Sequence, residues 1–283
     1  MSLELGLQLF SVRDELEKDF VGTLQKVAEI GYKSVEFFIH DASKGMKIGG
    51  MEANELKKVL NNLGLNAVSM HVDPLTDEDI LEKAIQYNLE IGSTGIGCSI
   101  AFFKNKQEVI DFAKALNKCG QKCRENGLAF YYHNHFQEFQ KFDGQYVLDI
   151  LLESTDESLV KSEFDTYWAL RGGIDPVDYL KKLGSRCDLV HQKDLPATAK
   201  PVNAFEVLGE EKEIGFDEFI GFSKPEYFTE AGEGSMDIKS IIETIRQIGA
   251  AKYIFVEQDL TTKNQLESVE LSYKNMIQLL DAQ

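Results

Sequence analysis

The sequence predicts a (β/α)8 barrel, and three observations carry that prediction. Helix-like segments closed by glycine recur at about the length of one strand–helix unit. Short β-branched or aromatic runs alternate with those helices. No linker or shift of composition divides the chain, so residues 1–283 read as one domain.

The first strand is expected over Leu5–Val12. The helix that follows carries Phe20, Leu24, Val27 and Ala28 at helical spacing and stops at Ile30-Gly31-Tyr32. Glycine suits that stop because it enters the left-handed region without strain. The same join recurs at Leu63-Gly64-Leu65, Ile91-Gly92-Ser93, Asn126-Gly127-Leu128, Leu183-Gly184-Ser185 and Ile248-Gly249-Ala250. The first four joins lie about one unit apart and the later ones about two. The remaining strands are expected over Ser34–Ile39, Ala67–Val72, Gly95–Ser99, Ala129–His135, Lys161–Tyr167, Asp188–Lys193 and Tyr253–Glu257. Strict alternation of eight strands with helices argues for parallel pairing and closure. A doubly wound open sheet is the runner-up, but no GxGxxG follows the first strand. Residues 195–234, after strand seven, form a long irregular insertion on the face where barrel active sites lie. A lid and a surface decoration are equal readings of it.

Composition narrows the class. Hydrophobic residues make up 43% and charged residues 27%, as in globular proteins. The formal charge of −17 repels phosphate backbones, and no basic run offsets it, so nucleic acid is not expected as a partner. Apolar runs are too short for a membrane span, and the N-terminus lacks a signal-peptide pattern. Cys98, Cys119, Cys123 and Cys187 have neither zinc-knuckle nor disulfide-framework spacing. A cytoplasmic protein with reduced, buried thiols is the expectation.

The ionisable residues gather at one end. His40 follows strand two, His71 ends strand three, His133 and His135 end strand five, and His191 ends strand seven. None lies on a helix, and barrels place their chemistry at strand C-termini. Glu36, Glu163, Asp165, Glu257 and Asp259 sit in or just after apolar strands, where a carboxylate must be paired, protonated or bound to metal. Carboxylates converging beside histidines suit a divalent cation, with mixed N/O donors pointing away from Ca2+.

At this point the sequence resembles the xylose isomerase-like TIM barrel superfamily, in particular its sugar phosphate isomerase/epimerase group. The resemblance rests on Leu7-Gln8-Leu9-Phe10-Ser11-Val12-Arg13, Tyr132-His133-Asn134-His135 with Glu138-Phe139, Glu163-Phe164-Asp165-Thr166-Tyr167-Trp168, and Gly173-Ile174-Asp175-Pro176. It continues with His191-Gln192-Lys193-Asp194, Gly232-Glu233-Gly234 and Val256-Glu257-Gln258-Asp259. It implies one divalent metal, Mn2+ or Co2+ favoured and Zn2+, Fe2+ or Mg2+ as alternatives. Asp165, His191 and Glu257 match ligand positions of related epimerases. The fourth position, a strand-five glutamate there, is His133 here, with His135 and Glu138 as rivals. Related apurinic endonucleases place a histidine three residues past the strand-six aspartate; here that residue is Trp168.

The expected function is a metal-dependent isomerase or epimerase of a sugar, keto-sugar or sugar phosphate, working through an enediolate. Glu257 or Glu138 would move the proton, and Lys193 would meet the developing oxyanion. Glu36, His71, His135, Trp168 and Arg13 are the expected substrate contacts. A dehydratase or lyase on an inosose or 3-keto-glycoside is the close alternative, because it shares the first step. A non-catalytic sugar-binding barrel is the reading of another class. Pairing into a homo-oligomer is compatible with the resemblance but has no sequence signal.

Overall fold

The computed structural model describes residues 3–209 and 212–282. Eight parallel strands close into a barrel: β1 (Glu4–Gln8), β2 (Ser34–Ile39), β3 (Asn66–Val72), β4 (Gly95–Cys98), β5 (Ala129–His133), β6 (Lys161–Asp165), β7 (Cys187–Gln192) and β8 (Tyr253–Val256). Each strand pairs with its chain neighbours, and β1 pairs with β8 to close the ring. The helices between them bury the apolar stripes read from the sequence: Leu24 and Val27, Leu56 and Leu60, Ile241, Ile242 and Ile245, Val269 and Met276. Gly64, Gly92 and Gly249 end their helices in the left-handed conformation. Asp77, Asn105, Asp175, Asp237 and Asn264 cap helix N-termini with their side chains. Among the described residues no helix is long and apolar enough to cross a membrane. All four cysteines are buried and free.

Three strands stop two or more residues earlier than the sequence pattern predicts, each for a local reason. Leu9–Val12 is a 3-10 turn, because the Gln8 side chain accepts from Phe10 N and Ser11 Oγ donates to Gln8 O. After Asp165 the chain turns into a helix over Thr166–Arg171, since Asp165 Oδ1 accepts from Trp168 N at 2.7 Å. After His133, the segment folds back through a 3-10 turn (Gln137–Phe139) and a short antiparallel hairpin of Lys141–Phe142 with Gln145–Tyr146. The insertion after β7 is not wholly irregular: it holds short helices at Phe205–Leu208 and Phe216–Phe222.

The barrel interior is layered. Val68, Tyr131, Leu189 and Phe255 form an apolar cluster apart from the outer core. Alternate residues of a strand share a face, so the residues two positions on from Tyr131, Leu189 and Phe255 also point inward. Those residues are His133, His191 and Glu257, and they open the ionisable layers above an apolar plug.

Candidate metal centre at the strand ends

The register across strands brings distant residues together. Asp165 pairs with His191 across β6 and β7, and Val256 with Gln192 across β7 and β8, which sets Glu257 near His191. Ligand-capable atoms of His133, Asp165, His191 and Glu257 all lie within 4.8 Å of one another, and all four residues are buried. His133 Nε2 stands 3.5 Å from Asp165 Oδ2 and 3.9 Å from Glu257 Oε2. His191 Nδ1 stands 2.8 Å from Glu257 Oε2. Neither ring nitrogen of His133 has a hydrogen-bond partner, although both are buried. Buried, unpaired imidazole nitrogens beside two carboxylates form a mixed N/O donor set, so these residues fit a divalent metal.

Lys193 enters the same space. Its Nζ is 2.5 Å from Asp165 Oδ2, in closer contact with Glu257 Oε2, and 3.6 Å from Asp259 Oδ1. Burial disfavours the ammonium, but Asp165, Asp259 and Glu257 outweigh that and raise its pKa. Burial likewise opposes ionisation of Asp165 and Glu257, and Lys193 overcomes it, with help from His133 and His191 respectively, holding both below the usual range. Burial pulls His133 down to about 4, so it is neutral and able to ligate. Asp259 goes the other way: burial pushes it up to about 7 despite Lys193, leaving a carboxyl able to donate a proton.

The other expected site residues fall in different places. His135 is half-buried above His133 (ring centroids 4.9 Å apart), against Trp168 and Phe219, and burial holds it neutral. Trp168 is fully buried, with its Nε1 unpaired and Lys193 Nζ 5.9 Å from its ring centre. Arg13 stays on its own segment, donating to Phe10 O and lying over the Phe10 ring at 4.0 Å. Glu36 and His71, expected as substrate contacts, lie beside Glu163 and His191. Gln8 and Ser69 hold Glu36, and His71 Nε2 is 2.6 Å from Glu163 Oε2. Burial works against the His71 imidazolium, yet Glu36 and Glu163 lift it to about 9. Glu163 and Asp259 had no assigned role in the sequence reading. The available signal was parity: each lies two residues from an inward carboxylate, Asp165 or Glu257.

Glu138 does not join either group. It accepts from Tyr132 OH and His135 N, both at 2.7 Å, and pins the turn after β5. Burial raises its pKa to about 7, only partly offset by those two donors. A carboxyl raised on folding binds more protons in the native chain, so its contribution to stability declines as pH rises from about 4.5 through 7. Glu138→Gln removes that decline. Urea unfolding at pH 5 and pH 8 should show the wild type losing up to about 3 kcal/mol more than the variant over this window. Equal losses in the two proteins would show that Glu138 titrates normally.

Comparison with known proteins agrees with this architecture. Inosose dehydratase of Clostridium botulinum is 30% identical over 165 residues, 58% of this chain and 52% of the relative. Inosose dehydratase of Clostridium beijerinckii is 29% identical over 172 residues, 60% of this chain and 54% of the relative. The chain thus spans about half the length of the curated relatives it matches. A sugar phosphate isomerase/epimerase from Parabacteroides distasonis superposes with a TM-score of 0.76 at 23% identity, covering 97% of this chain and 93% of that one. The IOLI protein, crystallised with a bound zinc atom, superposes at 0.69 with 13% identity, covering 99% of each chain. Both likenesses speak to the fold. The family model of the xylose isomerase-like TIM barrel matches residues 24–276, and the chain belongs to that family.

Proposed function

We propose that the protein is a metal-dependent dehydratase acting on a polyhydroxylated cyclic ketone of the inosose type. The observation that carries the reading is the arrangement around Lys193, where Glu257 and Asp259 both lie within 3.6 Å of Nζ while differing in protonation. Glu257 is held ionised and suits the base; Asp259 is held partly protonated and suits the acid. When bound among His133, Asp165, His191 and Glu257, a divalent cation would polarise the substrate carbonyl and steady the charge developing on its oxygen.

The side chains do the rest. Glu257 takes the proton α to the carbonyl, and the electron pair moves into the enolate. Lys193 Nζ presents its charge to the enolate oxygen. Asp259 gives its proton to the β-hydroxyl, which departs as water as the carbon–carbon double bond forms. Trp168 and His135 wall the space and keep bulk water from the enolate. Because Glu257 and Asp259 face one ammonium, they address the substrate from one side, which suits elimination. Epimerisation returns the proton to the opposite face. The dehydratase names of the partly matching relatives support the same choice.

The test is incubation of the Mn2+- or Co2+-loaded protein with an inosose in D2O, read by NMR and by enone absorbance. Metal-dependent loss of water is the expected result. Deuterium uptake with a new epimer and no elimination would replace the dehydratase with an isomerase or epimerase. Neither reaction in protein shown to hold metal and sugar would leave a sugar-binding barrel.

A further inference from the structure

We propose that Glu36, His71, Glu163 and His191 form a second divalent-cation site inside the barrel, one side-chain layer below the strand-end set. They come from β2, β3, β6 and β7, all four are buried, and their ligand-capable atoms lie within 4.8 Å of one another. His191 Nε2 stands 2.8 Å from Glu36 Oε2 and 3.2 Å from Glu163 Oε1, while His71 Nε2 stands 3.5 Å from Glu36 Oε2 and 2.6 Å from Glu163 Oε2. A tetrahedral ion with bonds of about 2.0–2.1 Å sets its ligand atoms about 3.3 Å apart, so the cage already has the needed size.

Independent features point to an ion rather than to a closed hydrogen-bond network. His191 Nε2 and Glu163 Oε1 are buried and face each other without a hydrogen bond. Glu36 is oriented from outside by Gln8 Nε2 at 2.6 Å and by Ser69 Oγ, the outer support that ligating carboxylates receive. On β4, Gly97 leaves the cage open: a Cβ there would come within 2.9 Å of His71 Cδ2 and 3.3 Å of Glu163 Oε2.

His191 serves both sets, offering Nδ1 beside Glu257 and Nε2 to the lower cage; filling both sites requires the ring to release its remaining N–H proton to solvent and bridge the two ions as imidazolate. The lower site shares that ring with the strand-end reading but does not depend on it.

The experiment is titration of the metal-stripped full-length protein with Co2+, read by visible absorption and by metal retained after desalting. The wild type should bind two equivalents. Asp165→Asn should keep the lower one, and Glu36→Gln the upper one. Gly97→Ala, which alters no ligand, should also lose the lower equivalent, and circular dichroism melts establish that each variant is folded. Two equivalents in both Glu36→Gln and Gly97→Ala would overturn the proposal. So would a wild type that binds none, or that saturates at one equivalent missing from Asp165→Asn. A wild-type single equivalent kept by Asp165→Asn and lost by Glu36→Gln would support the lower site and remove the strand-end one.

Discussion

Lys193→Met should destabilise the metal-free protein by about 3–5 kcal/mol in denaturant unfolding, the cost of breaking a buried ion pair from one side. Methionine has nearly the stem of lysine, so packing changes little. What is lost is the ammonium that faces Asp165, Glu257 and Asp259 in a site where Lys193 is 1% exposed. Those carboxylates then remain desolvated and mutually repelling. Added Mn2+ or Co2+ restores positive charge among the same oxygens, so the destabilisation should shrink in the metal-loaded protein. A loss under about 1 kcal/mol with and without chelator would mean the ammonium is not the partner these carboxylates rely on. Activity should fall by roughly 100- to 1,000-fold even with metal present, the usual effect of removing one donor to a developing oxyanion.

Asp165→Asn should cost more activity and less stability. The asparagine side-chain oxygen can still accept from Trp168 N, so the turn out of β6 survives. The charge beside His133 Nε2 and Lys193 Nζ does not. With it goes the strand-end cation and its several kcal/mol of stabilisation at the carbonyl oxygen, so kcat/KM should drop by at least about 1,000-fold. Steady-state rates and metal retained after desalting check both halves. Wild-type activity together with wild-type metal content in this variant would remove Asp165 from the ligand set.

The fold was legible because barrels repeat themselves. Helix stripes such as Ile238, Ile241, Ile242 and Ile245 and the glycine at position 249 report local geometry, which neighbouring residues determine. The gathering of ionisable residues at one end was legible for a similar reason: His71, His133 and His191 all fall near strand C-termini. The strand ends were less so. Gln8 and Asp165 stop their strands through side-chain bonds to the backbone, which an apolar pattern does not register.

By itself the sequence determined which residues of a strand share a face: Glu163 with Asp165 and His133 with Tyr131. Only the tertiary structure decided their depth and their partners. Depth depends on how each strand is staggered against the next, and irregularities such as the register shifts at Val35/Glu36 and Ser162/Glu163 alter it. That stagger set Glu36 and His71 beside Glu163 and His191. The fold-back after β5 set Glu138 against Tyr132 OH and His135 N, contacts that its place in the sequence does not show. Distances across a closed sheet are set by all its strands together, so no single strand's sequence contains them.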